Sequence, residues 1–437
     1  MLNCIIELLG DSNLFLTGGG GVGKSYTTKE IMRIYKDNGK NIVALGSTGI
    51  SAVGIGGVTI HSFFKFGLCA NHMELKALDL KQKSKLKELF DIIKNIDLLI
   101  IDEISMVSAE LMEMISLRLM QGEFKGRLMV VGDFYQLPPV KRQKDDMTLI
   151  KFNYAFDSTA WYNFKFKNIE LVISKRTSDT QFYSMLSRIR LGNIDAEIYK
   201  KLSSKITNEI AKDSVILYGR NAEADALNAK KLAQIPNQLE TISASGRVYD
   251  ETLQNDAYTK WINNLNVLSE LKIKIGARVM FLCNKWGEYY NGEQGIIKNI
   301  NKDDNGVVVS ISVLKDSGNI ADVEPFTYSL FEYEKDDEGG IKEKLRAEFT
   351  QFPLKLAYAI TIHKSQGMSI RRLVCDLNNI FANGQLYVAL SRAISWDDLS
   401  IIYTRKRDFY SYLKSVVNID KCVARFYEKE NFIKEGI

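Results

Sequence analysis

Short apolar runs alternate with stretches of helical periodicity over the first 170 residues. Each apolar run leads within two residues into Gly or Asp, and the runs are Leu14–Leu16, Asn41–Leu45, Leu98–Ile101 and Leu128–Val131. Apolar positions with helical spacing lie between them, for example in Tyr26–Tyr35 and Ser108–Met120. Strands that alternate with helices are typical of a parallel sheet with helices on both faces. The pattern therefore predicts an α/β domain.

The rest of the chain shows two different patterns of hydrophobic and polar residues. A weaker strand–helix alternation returns in Ser214–Tyr218, Ala222–Leu232, Leu373–Asp376, Gly384–Ser391 and Leu399–Tyr403. Residues 276–355 instead show period-two runs such as Val307–Val313, separated by turn signals such as Asp303–Gly306. We therefore predict a first domain over 1–165 and a second domain over 166–280 and 356–437. A β-rich module over 281–355 interrupts the second domain.

Composition narrows the class of protein but does not choose a function. A chain of 437 residues corresponds to about three domains. The net charge of +5 permits a polyanionic partner without requiring one. The 5 cysteines contain no C-x-x-C pair and there are only 3 histidines, which argues against a disulfide framework or a zinc site. No apolar run reaches the roughly 18 residues that span a bilayer, so we expect a cytoplasmic protein with no membrane segment.

A phosphate-binding loop is the first sign of chemistry. The motif G-x-x-x-x-G-K-S/T is matched by Gly18-Gly19-Gly20-Gly21-Val22-Gly23-Lys24-Ser25. The motif follows a predicted strand and opens a predicted helix. Glycines allow backbone N–H groups to turn towards phosphate oxygens, and the helix N-terminus adds partial positive charge. Lys24 would reach the β- and γ-phosphates, and the Ser25 hydroxyl would bind magnesium.

Two further strand ends carry groups that suit ATP hydrolysis. The run Leu98–Ile101 is followed by Asp102 and Glu103. In a P-loop enzyme such an Asp holds magnesium and the neighbouring Glu can activate the attacking water. The strand Leu128–Val131 leads to Gln136, whose neutral amide can sense the γ-phosphate. Two adjacent carboxylates favour hydrolysis over a nucleotide switch.

Four strings together resemble the Pif family of superfamily 1B DNA helicases, which is related to RecD and Dda. The resemblance extends from about residue 14 to residue 400. The strings are Asp102-Glu103-Ile104-Ser105-Met106, Gly132-Asp133 with Gln136-Leu137-Pro138-Pro139, Thr361-Ile362-His363-Lys364-Ser365-Gln366-Gly367, and Gln385-Leu386-Tyr387-Val388-Ala389-Leu390-Ser391-Arg392. The sequence departs from the family in two respects. No Gln precedes Gly18, where relatives carry an adenine-reading glutamine, and Ser174-Lys175-Arg176-Thr177 stands where relatives often show Phe-Arg-Gln. Relatives also carry a small DNA-splitting element, which the resemblance places in an insertion around 64–75 of the first domain.

The resemblance implies an architecture and a set of site residues. It implies an α/β protein with two RecA-like P-loop NTPase domains, ATP in the cleft between them, and an SH3-like β insertion in the second. The implied catalytic residues are Lys24, Asp102, Glu103, Gln136, Arg176 and Arg392. The implied cofactors are ATP, bound by Gly18–Tyr26 and Gly367, and Mg²⁺, bound by Ser25 and Asp102. Arg392, and second Arg176, are the candidates for an arginine finger, although either arginine alone could form an ordinary surface salt bridge.

The resemblance also implies a DNA partner. The expected DNA contacts are Thr48, Gly49, His61, Ser62, Phe63, Asn291, Thr361, His363 and Lys364. Hydroxyls, backbone N–H groups and lysine suit phosphates, whereas histidine and phenylalanine suit sugar or base faces. Core packing is the alternative for Phe63 and its neighbour Phe64, and a structural role is the alternative for the histidines.

The function that follows from the resemblance is an ATP-dependent helicase that translocates 5′ to 3′ on single-stranded DNA. It would act at single-strand–duplex junctions, as a monomer, in DNA repair, recombination or telomere-like maintenance. Three alternatives remain open at this stage. They are a nucleotide-gated single-strand binding protein, a RecD-like subunit of a nuclease complex, and an ATPase that acts on RNA.

Overall fold

The computed structural model of the chain describes residues 2–67, 69, 71–139, 154–211, 213–265, 267–285, 287–336, 340–417 and 419–435. The α-helices are α1 (Leu2–Asp11), α2 (Lys24–Asp37), α3 (Gly49–Ile55), α4 (Ile60–Phe63), α5 (His72–Asp79), α6 (Lys83–Lys94), α7 (Ala109–Gln121), α8 (Thr159–Phe164), α9 (Thr180–Arg190), α10 (Ala196–Ser204), α11 (Asn221–Ala233), α12 (Asn255–Asn264), α13 (Gln385–Leu390), α14 (Phe409–Val416) and α15 (Lys421–Lys429).

Strands of the first half are β1 (Leu14–Gly18), β2 (Ile42–Gly46), β3 (Val58–Thr59), β4 (Leu98–Asp102), β5 (Arg127–Val131), β6 (Lys167–Leu171), β7 (Val215–Tyr218), β8 (Glu240–Ser243), β9 (Ser245–Val248) and β10 (Glu270–Ile273). Those of the second half are β11 (Arg278–Phe281), β12 (Gln294–Lys302), β13 (Val308–Lys315), β14 (Ile320–Val323), β15 (Phe326–Lys335), β16 (Ile341–Gln351), β17 (Leu354–Leu356), β18 (Ala359–Thr361), β19 (Leu373–Asp376), β20 (Leu399–Ile402) and β21 (Phe432–Glu435).

The chain divides into two units. Unit 1 contains residues 1–175, 330–346 and 419–437, and unit 2 contains residues 176–329 and 347–418. This division corrects the predicted boundary at 165, because β6 pairs with β1 inside the first sheet. It also moves residues 419–437 out of the second domain, because β21 pairs with β6. The hairpin of β15 and β16 is likewise divided, since residues 330–346 belong to unit 1 and the other residues of the two strands to unit 2.

Unit 1 is built on one parallel sheet. The strand order is β21-β6-β1-β5-β4-β2-β3, and every registered pair is parallel. The central strands β1, β2, β4 and β5 are mostly apolar and buried, as expected where helices cover both faces. An aromatic cluster fills the core beneath β1, where Phe15 packs against Phe134, Trp161 and Phe426. The predicted α/β unit is confirmed here, with strand ends within one or two residues of the predicted ones.

Unit 2 combines a parallel sheet with antiparallel ones. The parallel sheet has the order β18-β7-β19-β20. A five-stranded antiparallel sheet, β14-β13-β12-β11-β17, lies between β7 and β18 in the sequence and has its own apolar core around Val279, Ile297 and Val313. The high strand content predicted for 281–355 is therefore confirmed, whereas the SH3-like character of this module stays a prediction. Within the described residues, no helix has the length and hydropathy that crossing a membrane requires.

Candidate functional site

The loop between β1 and α2 is shaped as a phosphate cradle. Gly18 has a φ of +137°, and a Cβ there would lie 2.4 Å from the carbonyl oxygen of Leu171, so this position requires glycine. Gly23 has a φ of +94° and caps α2, which begins at Lys24. The Nζ of Lys24 donates to the carbonyls of Gly18 and Gly19 at 2.7 and 3.0 Å. The ammonium therefore lies over the loop, where the phosphates of a nucleotide would bind.

The remaining predicted nucleotide-binding residues are dispersed. Ser25 is the second residue of α2, so its hydroxyl belongs to the first helical turn. Val22 is fully buried, whereas Tyr26 is 68% exposed. Gly367 lies in unit 2, in a turn with a φ of +77°. The unit 1 residues therefore form the loop itself, and Tyr26 lies beside it on the surface of α2.

The strand register brings the second and third motifs to the edge of the sheet where the loop emerges. β5 lies between β1 and β4, with Leu16 opposite Val131 and Ile101 opposite Val130. The carboxyl ends of β1, β4 and β5 are thus level. Glu103 has a φ of +54°, a left-handed conformation that is uncommon for residues other than glycine and recurs at functional sites.

The electrostatics of Asp102 fit a magnesium ligand. Asp102 retains some exposed surface, yet burial of its carboxyl group, together with the adjacent charge of Glu103, raises its pKa to about 7. A backbone hydrogen bond from Glu103 and the charge of Lys24 oppose this shift. Two carboxyl groups in a desolvated position favour a cation beside them, and Mg²⁺ prefers oxygen ligands. The Asp102 carboxylate and the Ser25 hydroxyl supply such oxygens.

Gln136 is held in place by its own motif. Its Nε2 donates to Oδ2 of Asp133 at 3.2 Å, and Asp133 is fully buried. The same carboxylate accepts the backbone N–H of Tyr135 at 3.2 Å. The motif also contacts the turn after β4, because a Cβ at Gly132 would lie 2.9 Å from the backbone nitrogen of Ile104. Gly132 therefore packs closely against the segment that carries Glu103.

A C-terminal tyrosine supports the same edge of the sheet and was missed by sequence reasoning. The hydroxyl of Tyr427 lies 2.8 Å from Oγ1 of the buried Thr17, the residue before Gly18. It also accepts the backbone N–H of Phe134 at 3.4 Å, while its ring stacks on Tyr135 with centroids 4.6 Å apart. A separation of 410 residues from Thr17 leaves no local signal of this contact.

The two predicted arginine fingers lie together in unit 2. Arg392 is only 2% exposed, and its guanidinium donates to the carbonyls of Val388 and Ser365 at 2.9 and 3.2 Å. Arg176 donates to the Ser391 carbonyl at 2.8 Å and to Oγ of Ser369 at 2.9 Å. Burial lowers the pKa of Arg176 to about 10, so this side chain remains charged at neutral pH. Both guanidiniums therefore donate to backbone carbonyls of unit 2.

The DNA candidates of unit 1 follow β2 and β3. Thr48 caps α3 through Ser51, so Gly49 begins that helix. His61 and Ser62 lie in α4, where Ser62 is exposed. Phe63 corrects the prediction of a DNA contact, because it is 5% exposed and its ring packs edge-on against Phe64 and Tyr333. Core packing, which was the alternative for both phenylalanines, is what the structure shows.

The DNA candidates of unit 2 follow β18. Thr361 ends this strand, and its Oγ1 is buried without a hydrogen-bond partner among the described residues. His363 and Lys364 are exposed in the short 3₁₀ helix that follows. Asn291 is exposed elsewhere, in the turn before β12, where its backbone N–H donates to Oδ1 of Asn284 at 2.7 Å. The structure therefore groups three of the four candidates in unit 2.

Comparisons with known proteins agree with these motifs. A family model described as PIF1-like helicase matches residues 1–200. The ATP-dependent DNA helicase Pif1 of Campylobacter jejuni is 44% identical over 99% of this chain and 98% of the relative. The protein of the same name from Bdellovibrio bacteriovorus is 33% identical over 95% of this chain and 88% of the relative.

Solved structures give the same result. The structure of Bacteroides sp Pif1 in complex with ADP-AlF4 has a TM-score of 0.82 and 26% identity, and the match covers 98% of this chain and 95% of that one. The structure of Bacteroides Pif1 bound to ssDNA has a TM-score of 0.63 and 27% identity, with the same coverage. The fold of this chain is therefore that of these helicases.

Proposed function

This chain belongs to the PIF1-like helicase family and is an ATP-dependent DNA helicase, and from that premise we propose that it translocates 5′ to 3′ on single-stranded DNA and unwinds duplex ahead of it. The observation that carries the proposal is the level edge of the unit 1 sheet. The phosphate loop after β1, the carboxylates after β4 and Gln136 after β5 emerge there together. The polarity comes from the family resemblance, as does unwinding at forks.

Each residue of this edge has a chemical task in the proposal. Lys24 and the backbone N–H groups of the loop bind the phosphates of ATP. Ser25 and Asp102 would hold Mg²⁺, which neutralises charge on the phosphate oxygens. The carboxylate of Glu103 accepts the proton of the attacking water. Gln136 senses the γ-phosphate, and a displacement of Gln136 is transmitted to the Glu103 segment through Gly132.

The arginines of unit 2 complete the proposal. We propose that Arg176 and Arg392 supply positive charge to the transferring phosphoryl group when ATP draws the two RecA-like units together. Both guanidiniums contact Ser391 or its neighbours, so a single rearrangement of the turn after α13 affects both. Arg392 must exchange carbonyl partners for phosphate oxygens, which makes its engagement dependent on ATP.

The nucleic acid along which we propose that the protein moves is single-stranded DNA. Solved relatives are described as bound to ssDNA and as two coordinating helicases on forked dsDNA, and we extend DNA binding to this chain on that basis. The proposed contacts are Thr48, Gly49, His61 and Ser62 in unit 1, and Thr361, His363, Lys364 and Asn291 in unit 2. A nucleotide-gated binding protein is the second candidate, and Glu103 argues against it because a water-activating carboxylate serves only hydrolysis.

An unwinding assay tests the proposal. Duplexes with a 5′ or a 3′ single-stranded tail are offered to the purified chain with ATP and Mg²⁺. We expect unwinding of the 5′-tailed duplex, and loss of activity in Lys24→Ala. Unwinding of only the 3′-tailed duplex contradicts the polarity, while ATPase that survives in Lys24→Ala contradicts the site assignment. A chain that binds DNA but shows no DNA-stimulated ATPase is a nucleotide-gated binding protein instead.

A further inference from the structure

An exposed aromatic ring lies beside the DNA motif of unit 2, at a position that no motif covers. Phe381 is 67% exposed, in the loop between β19 and α13. Exposure of a phenylalanine forfeits the stabilisation that burial provides, roughly 1.5–3 kcal/mol for a side chain of this size. An exposed aromatic ring on an ordered loop is therefore available to bind a partner.

The loop holds the Phe381 ring in a defined position. The backbone N–H groups of Phe381 and Ala382 both donate to Oε1 of Gln385, at 2.9 and 3.1 Å. Gln385 is fully buried at the start of α13. On the other side of the loop, Nδ2 of Asn379 donates to Glu223 at 2.8 Å. A loop fixed at both ends presents the ring without further ordering, which lowers the cost of binding.

His363 gives the Phe381 ring an aromatic neighbour. The two rings are nearly parallel, with an interplanar angle of 23° and centroids 6.4 Å apart. His363 is exposed overall, yet burial of part of its ring lowers its pKa. The imidazole is therefore predominantly neutral at neutral pH and offers a π face rather than a charge. The pair forms an apolar, aromatic surface in an otherwise polar segment.

The groups around this pair suit a sugar–phosphate backbone. Lys364 is exposed next to His363 in the sequence, and its ammonium can pair with a phosphate. An aromatic surface with a cation beside it matches one nucleotide, whose base presents a flat face and whose phosphate carries a negative charge. Only an unpaired base exposes its face, so the ligand class is single-stranded rather than duplex nucleic acid.

We propose that Phe381 and His363 form a base-stacking subsite on unit 2 for one unpaired base of single-stranded DNA. The subsite rests on the proposed function, because it assumes that the strand passes over the end of β18. Gln385 is its positioning residue, since it holds the loop but does not face the strand. The subsite gives unit 2 a contact with bases in addition to its phosphate contacts.

Binding of two oligonucleotides of equal length tests the subsite. One is oligo-dT and the other is an abasic strand that keeps every phosphate. We expect Phe381→Ala to weaken oligo-dT binding by about 5- to 50-fold and to leave abasic binding within two-fold, because one stacking contact is lost. Phe381→Trp should restore oligo-dT binding. The salt dependence of Kd should stay unchanged, since no phosphate contact is removed.

The controls separate failure of the subsite from failure of the proposed function. Phe326→Ala removes another exposed phenylalanine of unit 2, on the sheet of β15, β16 and β9, and should leave both affinities unchanged. Phe381→Leu serves if Phe381→Ala does not fold, because leucine keeps apolar area without an aromatic face. If the wild type binds and unwinds DNA but Phe381→Ala keeps full affinity for oligo-dT, the subsite alone is overturned. Equal weakening of both strands also overturns it, and a wild type that does not bind single strands overturns the proposed function itself.

Discussion

Glu103 is held in a backbone conformation that its side chain does not favour. Its φ of +54° turns the chain directly after Asp102, at the end of β4. In the proposed site the Asp102 carboxylate binds magnesium and the Glu103 carboxylate contacts the attacking water. We expect Glu103→Gln to keep nucleotide affinity and to lose about 10²- to 10⁴-fold in kcat, because the amide preserves shape but accepts no proton. Steady-state ATPase and binding of a labelled nucleotide measure the two quantities, and a kcat within a few-fold of wild type contradicts the role.

Lys355 is a lysine whose nitrogen has no partner. The residue is partly exposed, but its Nζ is buried without a hydrogen bond among the described residues. Burial, together with the charge of Lys364, lowers the pKa of Lys355 to about 7. Between about pH 7 and the usual lysine value the unfolded chain therefore binds a proton that the folded chain does not. The stability of the wild type consequently rises with pH through this window.

Replacement of Lys355 removes this cost. We expect Lys355→Met to raise the free energy of unfolding at pH 7 by roughly 1–3 kcal/mol, with a gain that shrinks as the pH rises towards 10. Denaturant unfolding at pH 7 and pH 9 measures the effect. Lys298→Met, at an exposed position of β12 in the same sheet, is the matched control and should show no such gain. An equal gain at both pH values contradicts the explanation.

At the scale of elements, the predicted small insertion is anchored by a buried arginine on α7. The guanidinium of Arg118 is fully buried and pairs with both carboxylate oxygens of Asp79 at 2.6 and 2.8 Å. Its Nε donates to the Phe64 carbonyl at 3.1 Å, and the group lies over the Phe66 ring. Both ends of the segment 64–79 are therefore attached to α7 through one side chain.

Loss of this anchor should loosen the insertion. We expect Arg118→Met to lower the free energy of unfolding by about 3–5 kcal/mol, because the Asp79 charge and the Phe64 carbonyl lose their partner. Hydrogen exchange should show faster opening of 64–79. Arg33→Met removes an exposed arginine of α2 that pairs with Glu30 and Asp37, and should leave the unfolding midpoint essentially unchanged. Unchanged protection of 64–79 in Arg118→Met rules out the anchor.

Elements that carry local motifs could be predicted, and elements fixed by distant contacts could not. β1, β4 and β5 were identified because each joins an apolar run to a motif of distinct chemistry. The return of β21 to the edge of β6 has no such signal, since four residues, Phe432–Glu435, read equally well as the end of any helix or strand. Phe63 illustrates the same limit inside the site, because its burial depends on Tyr333, which lies 270 positions away in the chain.

At the scale of the whole molecule, the chain enters unit 1 three times. Residues 330–346 and 419–437 complete a unit whose catalytic loops all lie before residue 140. Val423 and Phe426 of α15 belong to the main core cluster of that unit, together with Tyr333 from the hairpin. Phe426 stacks on Phe156 with centroids 4.4 Å apart and contacts Phe15 under β1. The stability of the unit that carries the phosphate loop therefore depends on the segment 419–437.

This dependence predicts which unit each aromatic residue stabilises. We expect Phe426→Ala to lower the free energy of unfolding by about 3–5 kcal/mol, because it leaves a cavity beneath β1 and β5. Hydrogen exchange in these two strands should become faster. Phe409→Ala is the matched variant, since Phe409 is buried in unit 2 against Tyr199 and Tyr403, and it should accelerate exchange in β20 instead. If Phe426→Ala accelerates exchange equally in both units, they unfold as one cooperative body. Faster exchange confined to unit 1 means that the C-terminal segment stabilises the ATPase unit specifically.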